Sequence, residues 1–520
     1  MAGRGRAMSG RFDAERVARG TVYLLIMNVT NYVVLFLFYA VLARVVSTEE
    51  VGFLSFMMLT MSAFNTLTLL ALNSAVVKYV AEFAGSGRDG LASLVAGKAF
   101  RGIVLASVPA VVVAFLVVSV GNVFRLDATQ AYAVMGMVLT GFVVNLTSYY
   151  GGVMYGFGMY LAVTVQNVVF TVLSRFLGLL LAVRGYGLAG ISAGFLIGAL
   201  VCLCYSVIVL RGRLVKPEGA FSYGQLFSYS WPLYANALIG LWSGWVSLLV
   251  LQLVVGSLSL SGVFYLITSG AGFLGILWSP LASALFPAMS ARLGNGNGAS
   301  GFREWLEGSL RVINILVIPT SVALACVAPT ALRIAYGAYY VQGALPFSLV
   351  VVVAIFSAYS SIFGAVLMSS GKTVQVAYIG AFSALLGTVL APLLTKWFSI
   401  TGTVLSTVFM TLGAFFLGYF FVRRVVDFRL DRYSIRRSVM VTLCLAPVLL
   451  VADVLMRSIG LNAVYVAALD FVLFIALGTA NKILWKPFTL GDVQVMEKAM
   501  PSSLDKVRSL LRHCAKQEET

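Results

Sequence analysis

With 520 residues, 60% of them hydrophobic and only 11% charged, and a mean hydropathy of +0.96, the chain is too apolar for a soluble domain, which runs to roughly 45–50% apolar and about 25% charged. The formal net charge of +17 does not indicate nucleic acid, because Lys and Arg crowd alternate loops in the positive-inside pattern of a membrane protein facing anionic lipid. One histidine, His513, and five cysteines without ligand spacing exclude zinc chemistry and histidine-based nucleophiles, so neither metal nor cofactor is expected.

In hydrocarbon only helices and closed barrels satisfy the backbone. The apolar runs here are continuous rather than alternating, which predicts an all-α polytopic membrane protein with about 14 transmembrane helices. A basic cytoplasmic segment, residues 1–19, comes first. Six helices over 20–43, 51–84, 92–120, 129–155, 159–183 and 187–210 form an N-terminal bundle, residues 20–213. Six more over 223–255, 259–291, 303–330, 344–370, 374–395 and 400–422 form a C-terminal bundle, residues 214–424. Helices 438–457 and 460–481 complete the span region, 425–481, and an amphipathic tail, 482–520, follows. In that tail Thr489 with Asp492 and Ser502 with Asp505 fit capping boxes, predicting two short helices. An even number of crossings puts both termini on one side, and the sparse basic residues of the opposite loops make that side cytoplasmic.

The two bundles share a weak repeat at an offset of about 210 residues. Leu72, Ser74, Ala75, Gly85 and Gly87 recur as Leu281, Ser283, Ala284, Gly294 and Gly296. Arg101 and Pro109 recur as Arg311 and Pro319, and Gly158 and Gly190 as Gly371 and Gly402. The pattern predicts two pseudo-symmetric six-helix bundles plus two C-terminal helices.

No Asp or Glu reaches the midplane within the first twelve helices, whereas an ion-coupled exporter of cations needs an intramembrane carboxylate. The deep ionisable residue is Arg175, and Lys78, Lys98, Arg101 and Arg311 lie nearer the cytoplasmic side. Such a bias attracts membrane anions, among them the phosphate or pyrophosphate of a polyisoprenoid carrier. Asn28, Asn31, Gln166, Asn167, Asn236 and Trp242 add amides and a ring suited to glycans, and helix contacts are the alternative use of each. Asp470, outside the repeated core, is a candidate for ion coupling. Substrate-binding candidates are therefore Arg175, Lys78, Arg101, Arg311, Asn28 and Asn236.

Together these motifs resemble the polysaccharide-biosynthesis membrane proteins, or oligosaccharide flippases, of the superfamily that includes the lipid II flippase and the multidrug and toxin exporters. The resemblance is carried by L-A-R (42–44) before Gly52, L-N-S-A-V-V-K-Y-V-A (72–81), Y-G-F-G (155–158) and Arg175 before G-Y-G-L-A-G (185–190). It continues through S-Y-S-W-P-L (228–233), G-V-F-Y (262–265), S-P-L-A-S-A-L-F-P-A-M-S (279–290), Y-G-A-Y-Y (336–340) and S-G-K (370–372). It implies alternating access and movement of polyprenyl-linked oligosaccharide to the outer leaflet of the cell membrane, without covalent catalysis and without nucleic acid. The implied partners are the lipid-linked glycan, membrane lipids and a coupling ion. Where relatives carry an acidic residue early in the seventh helix, this chain reads L-W-S-G-W-V-S (241–247). The first helix also lacks the arginines of the lipid II flippase, which disfavours a peptidoglycan precursor. A multidrug exporter of the same superfamily and a membrane-embedded glycan ligase or polymerase are the rival readings; missing core carboxylates oppose the first and short outer loops the second.

Overall fold

The computed structural model describes Tyr23 and residues 26–120, 126–279, 281–282, 298–428, 430–485, 488–489 and 515–516. The basic segment 1–19, the repeat motif at 283–296 and the two expected tail helices lie outside the described residues. In chain order the helices are α1 (Ile26–Val45), α2 (Thr48–Leu69), α3 (Leu72–Gly85), α4 (Asp89–Val120), α5 (Ala128–Gly156), α6 (Tyr160–Leu181) and α7 (Gly187–Leu210). There follow α8 (Tyr223–Val255), α9 (Leu258–Gly272), α10 (Gly298–Cys326), α11 (Ala328–Ala335), α12 (Ala344–Ser369), α13 (Thr373–Val425), α14 (Arg432–Ser458) and α15 (Ala463–Trp485). In the tail, Phe488–Thr489 pairs in parallel with Ala515–Lys516.

Eleven helical stretches among the described residues are long and apolar enough to cross a membrane. Two of them, Tyr160–Leu210 and Thr373–Val425, double back on themselves, and Ala463–Gly478 is a shorter apolar helix. Fourteen helical crossings result, and the protein is a multi-pass membrane protein. The first reversal uses Gly185 and Gly187, both at positive φ, so that α7 runs back along α6. The second, within α13, turns at Ser399 (φ 50°, ψ −132°), where the Thr395 and Thr403 hydroxyls bond at 2.9 Å across the bend.

The expected helix over 51–84 is two helices. Leu70 and Ala71 both adopt φ 53° and end α2 before α3 begins. A left-handed conformation costs an L-residue roughly 1–2 kcal/mol, and neither residue carries the glycine signal that predicts such a break. Glycine at position 71 should therefore be tolerated, although glycine inside a helix normally costs about 1 kcal/mol relative to alanine. Thermal unfolding in detergent should show Ala71→Gly at or above wild type and Ala75→Gly, four residues on, clearly below it. Equal losses in both variants would contradict the left-handed assignment. The expected helix 303–330 also divides, at Val327, with Pro329 in the first turn of α11, a position where its missing N–H costs nothing.

The described residues form two compact units. The first comprises residues up to Val246 with Ser257–Tyr265. Within it α5 packs along α2, α3, α4 and α7. Asn145, fully buried on α5, donates to the Thr68 hydroxyl at 2.6 Å and the Ser107 hydroxyl at 3.3 Å, tying α2 and α4 together where no water competes. Small residues set the closest approaches. A Cβ on Gly194 would lie 2.2 Å from the Gly178 nitrogen, and one on Gly198 would lie 2.9 Å from Ser174 backbone atoms. Gly52 and Gly262 make a second such crossing, since a Cβ on Gly52 would sit 1.9 Å from the Leu258 carbonyl oxygen.

The second unit comprises Ser247–Gly256 and the described residues from Leu266 onward. There α10 packs on α12 and α14, α12 on α13, and α15 on both α14 and α11. Asp431 caps α14 by accepting from the Tyr433 and Ser434 amides. An aromatic cluster of Tyr359, Phe363, Phe415, Tyr419 and Phe428 fills the space between α12 and α13.

Candidate functional site

The deep arginine sits on α6 because that helix mixes small, polar and aromatic residues by face. Ser174 and Gly178 are spent on the close approach of α7. Thr171, one turn before Arg175, donates to the Asn31 side-chain oxygen of α1 at 2.5 Å. That contact fixes α6 against α1 and turns Arg175 inward beside the Phe195 ring, 5.7 Å from its guanidinium carbon. One guanidinium nitrogen reaches the Thr171 carbonyl of its own helix at 3.2 Å. The Nε is buried and has no hydrogen-bond partner among the described residues. Electrostatically its neighbours are Tyr39 and Tyr265, whose hydroxyls bond each other at 2.6 Å and whose rings meet edge to face. A guanidinium with part of its donor fork unsatisfied among the described residues has the chemistry to hydrogen-bond an oxyanion.

On another face of the same helix lies a cavity of about 380 Å³ bounded by α3, α5 and α6. Asn73, Ser148, Tyr155, Gln166 and Asn167 give it hydroxyls and amides, and Phe170 gives it a ring. Gln166 donates to the Thr147 carbonyl at 2.8 Å and leaves its own side-chain oxygen buried without a donor above Gly151. Arg175 is about 7.5 Å further along the helix than Phe170 by helical rise. At ~100° per residue it points roughly a third of a turn away from the cavity. The structure does not merge the two.

Lys78 projects from α3 on the cytoplasmic side of the predicted topology, with its ammonium 4.2 Å from the Tyr229 ring centre and 4.8 Å from that of Tyr79. Phe221 and Phe83 continue this aromatic group. Lys98 instead holds the link between α7 and α8, donating to the Phe221 carbonyl at 2.5 Å and covering Tyr223. Arg101 is exposed on α4. Arg311 lies 4.0 Å from Asp431, at the cap of α14. Asn28 is half-buried on α1, and Asn236 turns back to donate to the Pro232 carbonyl at 3.2 Å, serving the kink in its own helix. Asp470 is 4% exposed in α15, in the second unit. Sequence reasoning missed Tyr39 with Tyr265, which are 226 residues apart and share no motif. It also missed Asp453, which the structure places against Asp470.

A family model described as "Polysaccharide biosynthesis protein" matches residues 17–292 of the chain. A search of the curated proteins found no match. Among solved structures, the chain is similar to the lipid II flippase MurJ in an inward closed conformation, at 14% identity and a TM-score of 0.65, covering 88% of this chain and 98% of that one. It is also similar to an inward-facing multidrug resistance MATE family transporter of the MOP superfamily, at 13% identity and a TM-score of 0.64, covering 77% and 94%. A MOP superfamily transporter from Pyrococcus furiosus, described as having a binding pocket of reverse polarity, matches at 13% identity and a TM-score of 0.58, covering 78% and 95%. At these identities the likeness is one of fold.

Proposed function

The chain belongs to the polysaccharide biosynthesis protein family, and on that premise we propose that it flips polyprenyl-linked oligosaccharide from the cytoplasmic to the outer leaflet by alternating access. The observation that carries the reading is Arg175, whose buried Nε has no hydrogen-bond partner among the described residues. An arginine at the membrane centre costs roughly 2.5–3.5 kcal/mol on insertion scales, and a phosphate or pyrophosphate headgroup returns that cost through a bidentate, charge-assisted contact. Lys78, with Tyr79 and Tyr229, meets the same headgroup on the cytoplasmic side, where Arg101 adds to the positive field; Arg311 is the candidate of the second unit, set beside Asp431. Asn28 is the amide offered to the glycan, and Asn236, with one N–H held by the Pro232 carbonyl, offers its remaining donor and acceptor. The reaction is transport, with no bond made or broken.

The protein sits in the plasma membrane with both termini cytoplasmic. A cysteine placed at Ser47, in a chain freed of native cysteines, should react with an impermeant thiol reagent in intact cells. One at Gly87 should react only after permeabilisation. Reaction of both from outside would reverse or dismantle this topology.

Deletion followed by leaflet-resolved analysis of glycan-lipid tests the function itself. Complete glycan-lipid should accumulate on the cytoplasmic leaflet and be depleted outside. An unchanged distribution together with greater sensitivity to cationic drugs would favour an exporter. Finished glycan-lipid outside, untransferred to acceptor, would favour a ligase.

A further inference from the structure

The loop joining α14 to α15 borders a cavity of about 420 Å³ lined by Thr330, Arg333, Arg457, Leu461, Asn462 and their neighbours. Two of those lining residues hold a buried carboxylate. Thr330 donates its hydroxyl to one oxygen of Asp453, and the Arg457 guanidinium lies 2.5 Å from the other. Asp453 is itself fully buried, and beyond it stands Asp470, 4% exposed. Neither Asp470 oxygen has a hydrogen-bond donor among the described residues, and α15 packs directly on α14, which carries Asp453 as its electrostatic neighbour.

The charges around this pair come from every helix that touches it. Asp453 and Arg457 are on α14, Arg333 is on the exposed side of α11, and the Cys326 thiol lies at the end of α10, near Asp453. One arginine balances one aspartate. Two carboxylates in contact cannot both be ionised at low dielectric without a further cation, and a shared proton resolves this by making one of them a donor. Asp453 accepts from Thr330 at one oxygen, while its other faces Arg457 as an ion pair and has no hydrogen-bond donor among the described residues, so the proton belongs on Asp470 and is donated to Asp453. A sodium ion suits the place less well, because it requires several oxygen ligands around it and one Asp453 oxygen is already taken by Thr330.

We infer that Asp453 and Asp470 form an exchangeable proton site in the α14–α15 hairpin, reached through the cavity lined by Thr330 and Arg457. The site pins the hairpin to α11. Loss of the proton leaves a buried negative charge within reach of the cavity's second cation, Arg333, and so loosens or re-pairs the hairpin's hold on α11. It is independent of glycan recognition, and its test uses the purified full-length protein without substrate, so it stands or falls apart from the flippase reading.

The experiment is infrared difference spectroscopy of the protein in lipid vesicles, stepped between acid and neutral pH in potassium buffer. Wild type should show the carbonyl stretch of one protonated, buried carboxylic acid, lost as the proton leaves. Asp470→Asn, whose amide still donates to Asp453, should fold and lack that band. A band unchanged in Asp470→Asn would overturn the proposal. So would its absence from wild type at every pH, a result that holds even where the variant fails to accumulate. Bleaching of the band by sodium at constant pH would replace the proton site with a metal-ion site.

Discussion

Replacing Arg175 with alanine is expected to remove most transport of glycan-lipid while leaving the protein's abundance in the membrane near wild type. Among the described residues the guanidinium makes one hydrogen bond, to its own helix, and keeps a buried Nε without a partner, so little of the fold depends on it. A hydrogen bond to a charged group contributes about 1.5–3 kcal/mol. Losing one such contact to the carrier phosphate weakens binding by roughly 10- to 150-fold, at 1.4 kcal/mol per factor of ten. Lysine keeps the charge without the planar fork, so Arg175→Lys should retain part of the transport. The reading from the same leaflet-resolved assay would collapse if Arg175→Leu, present at normal abundance, moved glycan-lipid at the wild-type rate. Arg175 would then be a side chain reaching for the interface rather than for a ligand.

The second large effect is on folding. Gly194→Ala should sharply reduce the amount of protein recovered from the membrane, because the added Cβ would meet the Gly178 nitrogen at 2.2 Å and Gly178 Cα at 2.5 Å. Both are backbone atoms, so no rotamer relieves the clash and α6 must part from α7. Overpacking of this kind costs 1–3 kcal/mol or more. Gly97→Ala is the control, since nothing lies within 4 Å of the Cβ it would add, and it should express like wild type or better. Similar recoveries for the two variants, by fluorescence-detected size exclusion, would refute the packing described for this hairpin.

Much of the fold was legible because the membrane imposes it. Continuous apolar runs mark the helices, and the boundary expected between 159–183 and 187–210 falls where the structure reverses, at Gly185 and Gly187. The break at Leu70–Ala71 was not legible, because tertiary packing, not a glycine or proline, forces two L-residues into left-handed geometry. The division at Val327 has a signal in Pro329, which stands in the first turn of a new helix, but a proline inside a long apolar run does not by itself distinguish that from a kink. Depth made Arg175 stand out, since a charge surrounded by leucine and phenylalanine is visible in one dimension. Its neighbours Tyr39 and Tyr265 were invisible there, as they arrive from distant helices and look like any other membrane tyrosine. Asp470 was visible for the same reason as Arg175. Its partner Asp453 lies near a helix end, where a carboxylate excites no suspicion until the neighbouring helix is seen to bury it.

The glycine-lined seam between α6 and α7 has a use for anyone watching the protein work. Gly178, Gly194 and Gly198 bring two backbones so close that the pair has no slack in which to slide. Spin labels at Val172 and Val201, exposed on these two helices, should therefore report one narrow distance, the same with and without glycan-lipid. That hairpin is a built-in ruler: a distance change measured from it elsewhere belongs to the moving part.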